Sequence, residues 1–169
     1  RNGLYADFSP KPLRHQPGNG FHINISVKGG NCEDPLSHMI AGILAHISEL
    51  TVFLNPTVAS YERFGGPKAP EYISWSNQNR SQLIRVPAAV DAYRRAELRS
   101  PDPTTNPYLA FALLIYAGLD GIQQKLPLPA PTDLNLFTAS ADILAGLQRL
   151  PLTLREAATL AANSSFVSQ

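Results

Sequence analysis

The sequence predicts an α+β domain, an antiparallel β-sheet covered by helices, on three observations. FHINISVK (21–28) alternates apolar and polar residues, the stretch after Asp34 repeats apolar residues with a helical period, and short β-forming segments cluster between 71 and 99. In FHINISVK, Phe21, Ile23, Ile25 and Val27 form one face and His22, Asn24, Ser26 and Lys28 the other, the pattern of a half-buried strand. Asp34 can cap and Pro35 can open a helix whose apolar positions Leu36, Met39, Ile40, Ile43, Leu44, Ile47 and Leu50 follow the 3.6-residue period, to about Leu54. EYISWS (71–76), QLIRVP (82–87) and YRRAELR (93–99) read as three further strands. After Pro101 and Pro103, Thr105 or Asn106 caps a helix that Pro107 opens and that runs to about Gln124. It is apolar on nearly every side, which predicts a central position, with Tyr116 in its packing. PLPAPTD (127–133) reads as an extended linker, and short helices are expected near 139–149 and 153–162. The organisation predicted is one partial domain over 1–169, with sheet and central helix in 1–126 and linker and C-terminal helices in 127–169.

The bulk composition bounds the function. With 169 residues, 44% hydrophobic and 16% charged, the chain can bury a real core. A formal net charge of +1 supplies no field to gather nucleic acid or an anionic membrane, so neither is an expected partner. The most apolar stretch, YLAFALLIYAGL (108–119), is shorter than the roughly 20 residues of a membrane span. One cysteine, Cys32, and no secretory leader point to a reducing cytoplasm. Arg1 stands where a methionine is usual, and Ser168-Gln169 follows directly on apolar Phe166-Val167, so both ends are expected to be cut.

Charge is lopsided although its sum is not. Six of the ten arginines, Arg63, Arg80, Arg85, Arg94, Arg95 and Arg99, fall between 61 and 100, against the acids Glu62, Glu71, Asp91 and Glu97. Guanidinium is a planar, permanently charged donor suited to carboxylate and phosphate, and a cluster of them on strands makes a rigid anion site. Gly18 and Gly20 precede the first strand, where glycine lets backbone approach a ligand. Taken alone, His22 reads as a structural histidine more readily than as a metal ligand, and Glu97 as an ion-pair partner. His38 and His46 lie on a helix with a clear apolar face and read as surface or packing residues.

Several blocks in order, GNGFHINIS, NPTVASYERF, APEYISWSNQNRSQLIRVP, RRAELRSPDPTTNPYLAFALLIYAGLDGI and LPLTLREA, resemble the C-terminal catalytic portion of glutamine synthetase. The resemblance implies ligation of glutamate with ammonia at the expense of ATP, through a γ-glutamyl phosphate, with Mg²⁺ or Mn²⁺ and a homododecamer of two stacked rings. It implies that His22 and Glu97 bind one metal ion, a donor set suited to such a cation. Arg63 and Arg99 would hold the glutamate carboxylate and phosphoryl region, and Arg80, Arg85 and Arg95 the ATP phosphates. Gly18, Gly20, Asn24 and Ser26 match positions beside substrate and nucleotide. Phosphoryl transfer depends on such positioning and charge neutralisation. The family's remaining metal-binding glutamates would precede Arg1, so this chain alone is expected to bind metal weakly and to turn over nothing.

The chain departs from the family pattern at several positions. Asn24 stands where a second histidine is common, and Pro17 where a donor residue is usual. Phe137, in DLNLF, lacks the hydroxyl that some members adenylylate, so no such control is expected. Lys68 replaces a glutamate that, in the family, closes the site and takes the proton from ammonium. A cationic lysine repels ammonium and cannot act as that base. Glu71 occupies a position that is often basic, as if the two charges were exchanged. Two further readings follow: a relative that joins glutamate to another amine, or a structural homologue without catalysis.

Overall fold

The computed structural model describes residues 2–28, 32–89 and 93–168; Asp91 and the two chain ends, named above, lie outside them. The chain order is β1 (Ile23–Ile25), α1 (Pro35–Leu54), α2 (Val58–Tyr61), β2 (Trp75–Asn77), β3 (Ile84–Val86), β4 (Ala96–Leu98), α3 (Pro107–Gln123), α4 (Ala141–Ala145) and α5 (Leu154–Ala162). The α+β class is as expected, with each strand shorter than its sequence signal.

The sheet order is β1-β4-β3-β2. β1 and β3 flank β4 antiparallel, with Asn24 and Arg85 both opposite Glu97. The β2–β3 pair is parallel, Trp75 opposite Ile84, which departs from a wholly antiparallel sheet. The chain returns through residues 78–83, with Gln78 at a φ of 74° turning it. That return lies inside: Ser81 and Gln82 are buried, and Gln82 Nε2 donates to the Leu134 carbonyl at 2.8 Å. The linker is pinned to the same strand, the Thr132 N–H donating to the Trp75 carbonyl and Trp75 Nε1 to the Pro129 carbonyl.

Pleating sends alternate residues to opposite faces. On one face Ile23, Ile84, Val86, Ala96 and Leu98 join a core with Leu36, Met39, Ile40, Ile43, Ile47, Leu50 and Leu54 of α1. Asp34 caps α1, Oδ2 accepting from Ser37 Oγ at 2.6 Å, and Pro35 opens it. Ile43, Ile47, Leu50 and Leu54 are fully buried, each contributing about 1.5–3 kcal/mol of transfer free energy. By length and composition α1 also meets the requirement for a membrane span, with a mean hydropathy of 1.4, but its stripe packs against the sheet, α3 and α5 as a core helix.

α3 begins as expected, Asn106 Oδ1 accepting from the Tyr108 and Leu109 N–H groups. Its central placement is corrected. One face, through Ala110, Leu114, Ala117 and Gly121, packs on α1, while Tyr108, Phe111, Ile115, Tyr116 and Leu119 are exposed. Tyr116, expected to pack, is 67% exposed. The two helices meet backbone to backbone: a Cβ on Gly42 would stand 2.8 Å from Gly121 Cα, and one on Gly121 2.7 Å from Gly42 Cα. α2 was not anticipated from the sequence; Thr57 and Ser60 form a reciprocal capping box around its single turn.

Candidate active site

The face of the sheet opposite the core carries the polar residues. Glu97 on β4 lies across from Asn24 and Arg85, with Arg95 and Arg99 two residues to either side of it, and His22 two residues before Asn24. Strand register therefore gathers residues far apart in sequence.

Glu97 is the hub. Its Oε1 lies 3.2 Å from His22 Nδ1, and its Oε2 accepts from Arg85 NH1 at 2.9 Å and faces Arg99 NH1 at 3.3 Å. Burial by itself would raise the Glu97 pKa; the Arg85 hydrogen bond and the Arg99 and His22 charges outweigh it and hold the carboxyl below its usual range. Burial, then the Arg99 charge, push His22 down against the pull of Glu97, which favours the neutral, metal-competent imidazole.

Arg63, from the turn after α2, enters beneath Gly18 and Gly20. A Cβ on Gly18 would come within 2.7 Å of Arg63 Cγ, and one on Gly20 within 3.1 Å of His22 Nε2. At Gly18 the Pro10 carbonyl also stands where a side chain would go, and both glycines line the cleft described next. Arg63 is 3% exposed; NH1 donates to the Ser100 carbonyl at 3.0 Å and lies 3.7 Å from Asp102 Oδ2. Burial lowers the Arg63 pKa and Asp102 opposes that. Asp102, fully buried, also accepts from Asn55 Nδ2 and from the Thr104 N–H. Sequence reasoning missed it; an aspartate between Pro101 and Pro103, followed by threonines, is a local turn signal that hid its long-range partner.

A cleft of about 450 Å³ is lined by Gly18, Gly20, His22, Arg63, Lys68, Arg80, Arg85, Glu97 and Arg99, with Pro67, Ala69 and Phe137 completing the wall. Nine of the twelve residues singled out from sequence thus meet. Three do not line it. Arg95 shares the sheet face, but its Nε donates to Asn24 Oδ1 at 3.1 Å outside the cleft, and Ser26 lies along a separate apolar groove with Met39, Leu114 and Gly118. The Nε groups of Arg63, Arg85 and Arg99 are buried without a partner among the described residues, leaving donors for an anion. His22 and Glu97 offer one nitrogen and one carboxylate to a cation; no group of three such ligands occurs among the described residues.

Lys68 sits in the left-handed region, φ 71°, on the turn that follows Gly65. Glu71 does not compensate for it. Its carboxylate pairs with Arg149 and lines a neighbouring cavity with Gly65 and Tyr72.

Known proteins resemble this chain over nearly its whole length. The chain is 45% identical to glutamine synthetase of Methanosarcina mazei, over 99% of its own length and 41% of that protein's. It is 47% identical to the Pyrococcus furiosus enzyme over 92% of the chain, and 44% identical to that of Thermus thermophilus over 92%, in each case covering 38% of the relative. The chain therefore spans about two-fifths of the length of the relatives it matches. A solved structure described as a GmaS/ADP complex superposes with a TM-score of 0.82 at 29% identity, covering 96% of this chain and 41% of that one. The family model for the glutamine synthetase catalytic domain matches residues 1–169, and the chain belongs to that family.

Proposed function

We propose that the protein from which this chain comes is an ATP-dependent ligase that joins glutamate to an amine through a γ-glutamyl phosphate. The observation that carries the reading is the cleft in which Arg63, Arg80, Arg85 and Arg99 surround the His22–Glu97 pair, with three guanidinium Nε groups left for an anion. Supporting it, the family is that of glutamine synthetase, and the structural neighbour is described with ADP.

In this reading Arg80 and Arg85 hold nucleotide phosphates, while Arg63 and Arg99, fixed by burial, orient the glutamate carboxylate and the transferring phosphoryl group. His22 and Glu97 would supply two donors to a Mg²⁺ or Mn²⁺ ion, which when bound neutralises charge on the phosphoryl oxygens. Two donors leave most of an octahedral shell to other groups, so metal binding by this chain alone is weak. A cytoplasmic home and a homododecamer belong to the same reading and rest on the family alone.

The test is an acyl-phosphate trap. Full-length protein given ATP, glutamate, Mg²⁺ and hydroxylamine should form γ-glutamyl hydroxamate, and Arg99→Ala should lower its kcat at least a hundredfold. Absence from the folded protein of both hydroxamate and glutamate-dependent ADP release with any amine overturns the ligase and favours a non-catalytic homologue.

A further inference from the structure

We propose that Lys68 sets the class of the amine: the acceptor admitted to this cleft carries an acidic group of its own, which pairs with the Lys68 ammonium, and bare ammonium is disfavoured. This rests on the ligase reading above and adds the chemistry of its third substrate.

Five cationic side chains, Arg63, Lys68, Arg80, Arg85 and Arg99, face one carboxylate, Glu97, across the cleft. Both Glu97 oxygens are engaged, one by His22 and the other by Arg85 and Arg99. The next acid along the chain, Glu71, is turned to Arg149 in the neighbouring cavity. Glu97 is committed to these partners and, in the ligase reading, to the metal, so among the described residues lining the cleft there is no second carboxylate to hold an ammonium ion. Lys68 itself has no hydrogen bond or ion pair among the described residues, and its strained backbone holds it at the wall. A non-glycine residue in that conformation persists where its surroundings impose it, and such positions gather at ligand sites.

Ammonium next to this group meets like charge with no side-chain carboxylate of its own to offset it, the substrate anions being already matched by the arginines, whereas an amino acid or aminosulfonate brings an anion for Lys68. In the ligation the lone pair of the deprotonated amine forms a C–N bond to the γ-carbonyl carbon of γ-glutamyl phosphate. The carbon–oxygen bond to the phosphate breaks, its electron pair leaves with the phosphate, and the surplus proton of the nitrogen departs on that phosphate as hydrogen phosphate.

The experiment compares acceptor kcat/KM for glycine, taurine, methylamine and ammonium in the full-length protein with ATP, glutamate and Mg²⁺. Glycine or taurine should exceed both methylamine and ammonium at least tenfold. Lys68→Met should remove that preference while leaving the KM for ATP within twofold, and Lys68→Glu should raise the ammonium rate above that of glycine. By calorimetry, γ-glutamylglycine should bind at least tenfold more tightly than glutamine, a difference lost in Lys68→Met. Equal or better use of ammonium by the unaltered protein overturns the proposal, as does a Lys68→Met effect confined to ATP, which would assign Lys68 to the nucleotide. Glutamate-dependent ADP release across the whole set of amines separates the two levels: if it proceeds while acidic amines gain nothing, the acceptor inference alone falls, and if it is absent with every amine both fall.

Discussion

His22 and Glu97 meet across β1 and β4, Nδ1 to Oε1 at 3.2 Å, although 75 positions separate them in the chain. Antiparallel pairing puts Ile23 opposite Leu98 and Asn24 opposite Glu97, which brings the imidazole to the carboxylate, and the same register brings Arg85 to its other oxygen. Removing the charge at the hub leaves Arg85, Arg99 and His22 facing one another. Glu97 is 12% exposed and Arg85 21%, so water screens part of the repulsion. Glu97→Gln is expected to cost about 1–2 kcal/mol of unfolding free energy, read from urea denaturation, and to weaken Mn²⁺ binding at least tenfold.

Asp102→Ala tests the deeper ion pair. Asp102 is fully buried and Arg63 is 3% exposed, so the variant strands a guanidinium in a dry site. A loss of about 3–5 kcal/mol is expected, larger than for Glu97→Gln. Urea midpoints of the two variants in the same buffer give the comparison, and the reverse order would contradict the assigned burial.

The contact between α1 and α3 gives a third prediction. Alanine gains about 1 kcal/mol over glycine in a helix interior. At Gly42 or Gly121 the new methyl would stand within 2.8 Å of backbone that cannot move aside, and overpacking of this kind costs about 1–3 kcal/mol. Both variants should lower Tm by circular dichroism. Gly146→Ala, whose nearest neighbour would be 3.5 Å away, should leave it nearly unchanged.

His46 on α1 joins α3 and the segment after α5, with Nδ1 2.6 Å from Glu49 Oε1 on its own helix, Nε2 2.9 Å from Asp120 Oδ2, and its ring stacked on Phe166 at 3.9 Å. Hydrogen bonds from His46 and then Gln124 hold the Asp120 carboxyl below its ordinary 3.8. A depressed pKa means that the unfolded chain binds the proton more tightly, so this stability is present above 3.8 and is lost as pH falls below it. Asp120→Asn should flatten the acid limb of the urea midpoint against pH below 3.8 and leave its slope at neutral pH unchanged.

Much of the fold is legible in the residues. Asp34-Pro35 and Asn106-Pro107 begin helices where capping chemistry says they should, and the apolar period of α1 marks the residues that are buried. The parallel β2–β3 pair was not legible, because pairing direction depends on where residues 78–83 find partners, and those lie at Leu134, far along the chain. Nor was the exposed side of α3, since a uniformly apolar helix carries no sign of which face is covered.

Local chemistry accounts for the element types, the helix starts and the excess of guanidinium between 61 and 100, because caps, periods and side-chain charge act over a few residues. Only the folded chain decided that Arg95 pairs with Asn24 outside the cleft while Arg63 enters it on Asp102, and that Glu71 turns to Arg149 and away from Lys68. Those choices follow from strand register and from which charges are buried together, and both are set by contacts between segments distant in sequence.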